Sequence, residues 1–209
     1  MGTVIVADDH PLFRQAIAAS LEPFGCSVAE CATLDDCHAT LEINDDVDLV
    51  LLDLNMPGSL GLYGLVSLRN AFPAVPIAVV SGTDAPPVSG KAMALGALGF
   101  IPKSTAPERM STALEHILDG EPWLHALGDA ATSMTSEESE LVERVSQLTP
   151  QQCTVLGLLR GGMLNKEIAD ELAISEATVK AHVSAIFKKL DVSNRTQAVV
   201  LASRVFLDP

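Results

Sequence analysis

The stretch Val47-Asp48-Leu49-Val50-Leu51-Leu52-Asp53-Leu54-Asn55-Met56-Pro57-Gly58 constrains the fold more than any other. An apolar run of strand length, with little polar alternation, suits a central parallel strand covered on both faces. It ends at a carboxylate, and a Pro-Gly pair then turns the chain. Asp53 therefore stands at the carboxyl end of a strand, the edge where open α/β sheets bind ligands. A carboxylate there serves as a metal ligand, a base or a nucleophile, or simply caps the following turn.

The flanking sequence extends the pattern. Val4-Ile5-Val6-Ala7 reads as a strand ending in Asp8-Asp9, and His10-Pro11 opens a helix over 11–22. Residues 27–31 form a second strand, and Thr33 caps a helix over 34–43. After the Asp53 strand comes a helix from about Leu62 to Asn70, weakened by Tyr63-Gly64. A fourth strand over 76–82 carries Ser81. The next helix, near 88–97, starts poorly because of Pro86, Pro87 and Gly90. A fifth strand, 99–103, ends at Lys103, and Ser104 or Thr105 caps a helix over 106–119. Five strand–helix alternations imply a parallel sheet with helices on both faces and right-handed crossovers. Neither a Gly-x-Gly-x-x-Gly turn nor a P-loop lysine motif follows the first strand, so no nucleotide is indicated.

Charge divides the chain. The net charge is -14, but residues 1–120 hold 5 basic and 15 acidic side chains, residues 121–146 hold 1 and 6, and residues 147–209 hold 7 and 6. The asymmetry predicts two modules with different partners: 1–120, a linker over 121–146, and 147–209. Thr135-x-x-Glu138 is a capping-box pattern for a short acidic linker helix over 137–147. A hydrophobic fraction of 48% suffices for packed cores. The N-terminus lacks a basic signal region, and no run of about twenty apolar residues spans a bilayer, so a cytoplasmic protein without membrane partners is expected. Cys26, Cys31, Cys37 and Cys153 are expected as free thiols. Cys37-His38 lacks the Cys-x-x-Cys companion of a metal site.

Asp8 and Asp9, Asp53, Ser81 and Lys103 close four strands whose ends converge at one sheet edge. Crowded carboxylates favour a hard cation such as Mg2+. A lysine and a hydroxyl opposite them suit a phosphoryl group, and an aspartate there can become an acyl phosphate. The same residues, with Asp53-Leu54-Asn55-Met56-Pro57-Gly58, Val80-Ser81-Gly82 and Gly96 to Lys103, resemble the bacterial two-component receiver domain. The resemblance implies a flavodoxin-like (βα)5 fold with sheet order 2-1-3-4-5 and Asp53 as phosphoacceptor. It implies magnesium held by Asp9, Asp53 and the Asn55 carbonyl, with Asp8 acting through water. Ser81 and Lys103 would bind the phosphoryl group, and Phe100 would be an aromatic switch. An aspartyl phosphohydrolase would want a second acid where Asn55 stands.

In the C-terminal module Thr149-Pro150-x-Gln152 starts a helix that Gly161-Gly162 stops. Asn165 caps a second helix, 166–172. Ser175 caps a third, to about Leu190, and a fourth spans about 195–205. Two helices joined by the Ala173-Ile174 turn make a helix-turn-helix. On the third helix Val179, Val183, Ile186 and Leu190 share the buried stripe, leaving Ala177, Lys180, Ala181, Ser184 and Lys188 opposite. In a major groove Lys180 reaches guanine, Ala181 a thymine methyl and Ser184 either kind of base. Thr178, His182, Lys189 and Arg195 suit phosphate. A small helical bundle with a solvated polar face has the same pattern. The motifs Asn165-Lys166-Glu167-Ile168-Ala169, Thr178-Val179-Lys180-x-His182-Val183 and Asn194-Arg195-x-x-Ala198 resemble the LuxR-type DNA-binding domain. With the receiver resemblance, the chain is similar to NarL/FixJ-type response regulators. The partners so implied are a sensor histidine kinase, double-stranded DNA with paired half-sites, a second copy of the chain, and RNA polymerase. The alternative is a phosphorylation-independent regulator whose receiver serves as a dimerisation or ligand module.

Overall fold

The computed structural model describes residues 2–59, 61–82, 86–124 and 135–206. Five parallel strands, β1 (Thr3–Ala7), β2 (Ser27–Cys31), β3 (Val47–Leu52), β4 (Ile77–Ser81) and β5 (Gly99–Pro102), lie in the order 2-1-3-4-5. Val4, Val6, Leu49, Leu51, Val80 and Ile101 pack on one face with helices α1 (Pro11–Leu21) and α5 (Pro107–Leu118). Ile5, Ala7, Val50, Leu52, Val79 and Phe100 pack on the other face with α2 (Leu34–Ile43), α3 (Tyr63–Ala71) and α4 (Pro86–Ala94). The Val47–Leu52 run is apolar because successive side chains enter opposite cores.

The structure departs from sequence expectation in several places. A sixth short strand, β6 (Trp123–Leu124), adds parallel to β5, so the sheet reaches into the stretch expected as linker. A strand of two residues is too short for periodicity to reveal. Helix α4 begins at Pro86 rather than near residue 88, since proline suits the first helical turn. It ends at Ala94, and Gly96 follows at φ 90°. Helix α5 is capped by neither Ser104 nor Thr105. Ala106 holds the cap position, and Pro107 fixes the first turn. Gly64 is a packing requirement rather than a weakness. A Cβ there would stand 2.4 Å from Ser59 Oγ, where the loop after Asp53 folds back onto α3.

The linker helix α6 (Ser136–Ser146) carries the expected capping box between Thr135 and Glu138. Four helices follow: α7 (Pro150–Arg160), α8 (Asn165–Glu171), α9 (Glu176–Leu190) and α10 (Arg195–Phe206). Thr149 and Gln152 box the start of α7, and Ser175 Oγ accepts from the Thr178 amide at the start of α9. Asn165 lies inside the first turn of α8, not at its cap. The Glu167 carboxylate accepts from the Leu164 amide and sets the helix start one residue earlier. Asn194 Oδ1 accepts from the Gln197 amide at the start of α10.

The helical module sits on the sheet domain, and the core behind α3 runs on into Leu156, Leu159, Val142 and Phe206. Tyr63, at the start of α3, meets Phe206 edge-on at 5.9 Å. A Cβ on Gly157 of α7 would lie 3.3 Å from the Tyr63 ring. Asn70 Nδ2 donates to the Leu148 carbonyl at 2.8 Å. The expected end of the C-terminal module, 207–209, and ten linker residues, 125–134, lie outside the described residues.

The Gly64 contact yields a stability prediction. Gly64→Ala overpacks the turn at a cost of about 1–3 kcal/mol, read as a lower urea midpoint. Adding Ser59→Gly removes the clashing hydroxymethyl and restores part of the loss. An unchanged midpoint in the single variant would contradict the packing account.

Candidate phosphoryl and DNA-reading sites

The sheet brings the sequence-predicted acids together at its carboxyl edge. The Asp53 amide donates to the Ala7 carbonyl at 2.8 Å, so the strand end carrying Asp53 lies beside the one carrying Asp8 and Asp9. The Lys103 amide donates to the Ser81 carbonyl at 2.8 Å and fixes the other pair of ends. Lys103 Nζ lies 2.6 Å from Asp8 Oδ2 and 2.8 Å from Asp53 Oδ2, over the Phe13 ring. Asp8 and Asp53 are only 2% and 1% exposed, whereas Asp9 faces the solvent side. Ser81 is fully buried at the end of β4, and Phe100 packs inward beside the same strand.

Two carboxylates share one lysine, so the buried charge is not balanced. Burial pushes the Asp53 carboxyl above its ordinary value, against the pull of Lys103 and of the Asn55 amide, which donates to Asp53 Oδ1 at 3.2 Å. Burial works against the Lys103 charge too, but its bonds to Asp53 and Asp8 outweigh that and raise its pKa. The turn-capping role of Asp53 is thus real and coexists with the lysine pairing.

Asp8, Asp9, Asp53 and His10 each present a ligand atom within 4.8 Å of the others. Asp8 Oδ2 and Asp9 Oδ1 are buried, and each is met by one nitrogen at 2.6 Å, Lys103 Nζ and His10 Nδ1 respectively. A ring of acids with so few cationic partners fits a hard divalent cation, so the donor set suits magnesium. Sequence reading missed His10, whose Nδ1 lies 2.6 Å from Asp9 and 3.2 Å from Asp8. Its position directly after Asp8-Asp9 was the available signal. An open cavity of about 570 Å³ fronts the site, with Leu12, Phe13 and Ala16 of α1 along one wall.

On α9 the expected stripe is found: Val179, Ile186 and Leu190 are buried and Val183 is half-buried. Ala177, Thr178, Lys180, Ala181, Ser184 and Lys188 are exposed, and His182 is half-buried. Lys180 pairs with Glu176 at 2.8 Å one turn earlier, and Ser184 Oγ donates to the Lys180 carbonyl. The two flanking cations are engaged elsewhere. Lys189 Nζ donates to the Gln147 carbonyl and to Gln152 Oε1, both at 2.8 Å. Arg195 donates to the Leu159 and Met163 carbonyls at 3.1 and 2.6 Å, closing the C-terminal end of α7. Both hold helices together in this structure. Among the described residues no helix is long and apolar enough to cross a membrane.

Comparison with known proteins gives the family of each module. Residues 4–115 match the response regulator receiver domain, and residues 146–202 match the bacterial regulatory proteins of the luxR family. The chain is 42% identical over 213 residues to the glycerol metabolism activator of Pseudomonas putida, covering 98% of this chain and 96% of that one. It is 36% identical to the nitrate/nitrite response regulator protein NarL of Escherichia coli K12, covering 95% and 93%. Among solved structures, RcsB of Salmonella enterica serovar Typhimurium bound to promoter rprA with the phosphomimetic BeF3- aligns at TM-score 0.56. Identity there is 26%, with 98% of this chain and 100% of that one covered. A sheet edge built for an acid cluster and a helix-turn-helix with an open polar face thus share one chain, which belongs to the response regulators that join a receiver domain to a luxR-family DNA-binding domain.

Proposed function

We propose that this DNA-binding response regulator accepts a phosphoryl group on Asp53 from the phosphohistidine of a sensor histidine kinase. An Asp53 carboxylate oxygen forms the new P–O bond as the P–N bond breaks, and the imidazole leaves with the electron pair. The observation that carries this reading is the single lysine held between buried Asp8 and Asp53. Lys103 would turn from Asp8 toward phosphoryl oxygens, and Ser81 would hydrogen-bond one of them. Asp9, Asp53 and the Asn55 carbonyl would hold magnesium, with Asp8 acting through water. When bound, magnesium supplies charge neutralisation at the phosphoryl oxygens. The added charge of about -1.5 to -2, the value for ordinary phospho-residues, biases a two-state element that includes Phe100.

Lys180, Ala181, Ser184 and Lys188 form the DNA-reading face, with Thr178 and His182 toward phosphate. Lys189 and Arg195 are left out because their donors brace α7. With few cations in the module, two copies on paired half-sites supply the affinity. We place the receiver at 1–124, including β6, the linker at 125–147 and the DNA-binding module from Leu148 onward. A chain that receives phosphoryl from a kinase and reads promoter DNA works in the cytoplasm, where RNA polymerase is a further partner.

Asp53→Asn is expected to abolish labelling by acetyl phosphate while leaving circular dichroism unchanged; persistent labelling would remove Asp53 from the role. DNA binding that is the same with and without the phosphodonor would favour a phosphorylation-independent regulator. Lys180→Ala should cost about 1–3 kcal/mol on the preferred duplex and relax the preference at one guanine. An equal loss on all sequences would reassign Lys180 to phosphate.

A further inference from the structure

The last turn of α10 is closed by the receiver. Carbonyls of a helix's final four residues have no donor within the helix itself. Two of them in α10 are met from across the domain boundary. The Leu62 amide donates to the Phe206 carbonyl at 3.0 Å, and Lys91 Nζ donates to the Arg204 carbonyl at 3.0 Å. Lys91 is only 8% exposed along its side chain and also pairs with Glu138 of the linker helix at 3.2 Å. Phe206, fully buried, packs edge-on against Tyr63, the residue after Leu62.

The two donors sit on segments that leave the phosphoryl site. Leu62 ends the loop that starts at Asp53, and that loop is tied by Gly61 to Leu54 and by Gly64 to Ser59. Lys91 lies on α4, the helix following Ser81. A shift of either segment moves a donor away from α10 and takes the wall from Phe206. Undocked, α10 would end in open carbonyls and an uncovered phenyl ring, which favours fraying.

We propose that the receiver acts as the C-terminal cap of α10, so that the turn Arg204–Phe206 is ordered while the domains are docked and frays when Asp53 is modified. The modification half rests on the phosphoacceptor reading above; the capping half does not. The test is hydrogen exchange of full-length protein, read by mass spectrometry on peptides spanning 195–206. Lys91→Met keeps the stem and removes the donor. It should speed exchange in the last turn about five-fold, the equivalent of one net hydrogen bond of about 1 kcal/mol, and leave the first two turns unchanged. Tyr63→Leu, which removes the ring beside Phe206 but neither donor, should speed exchange in the same turn. Wild type with magnesium and beryllofluoride should do likewise, with binding of the mimic read independently by fluorine NMR. Unchanged exchange in both variants would overturn the capping role, as would acceleration spread evenly over α7–α10. Bound mimic with no change in the last turn would overturn the link to Asp53. If the mimic did not bind, the phosphoacceptor reading would fail and the two variants would still decide the cap.

Discussion

Buried charge at the rim of the sheet sets the terms for everything else in the receiver. Asp8 and Asp53 lie almost wholly out of water and share the Lys103 ammonium between them. Neither acid could be buried so deeply alone, since an unpaired interior carboxylate is neutralised or pulled back to solvent. The strand order that brings β1, β3 and β5 to one edge is thus also what makes their terminal charges tolerable. The balance is incomplete, with more carboxylates than nearby cations. In a sparsely hydrated place such an imbalance favours a cation and weighs against any further uncompensated anion.

Much of this was legible in the sequence because it depends on local pattern. Strands buried on both faces announce themselves as apolar runs, so β3 and its terminal Asp53 could be placed from residues alone. Helix starts at Thr33, Thr135, Thr149 and Ser175 follow from hydroxyl side chains that accept from the amide three positions on. What was not legible depends on partners distant in sequence. That Arg195 and Lys189 brace the Leu159 and Gln147 carbonyls appears only in the folded chain. Gly64 looks like a helix defect until Ser59 is found packed on it. The β6 strand is two residues long and exists because β5 offers an open edge.

The two domains are joined by more than their linker. Apolar contact is continuous from the face of the sheet behind α3, through Tyr63, to Leu156 and Phe206. Polar groups at the boundary are satisfied across it, Asn70 on Leu148 and Lys91 on Arg204 and Glu138. Parting the domains therefore means solvating a phenyl ring, a phenol and several backbone carbonyls together. Such a boundary behaves as one cooperative contact, because its apolar and polar parts are uncovered together.

Gly157 shows how far the two halves have been fitted to each other. It belongs to the DNA-binding module, yet the room for a side chain there is set by an aromatic ring of the receiver. A side chain at position 157 would press on the Tyr63 ring, which would have to give by a few tenths of an ångström. How closely one module can approach the other thus depends on the shape of one small hollow.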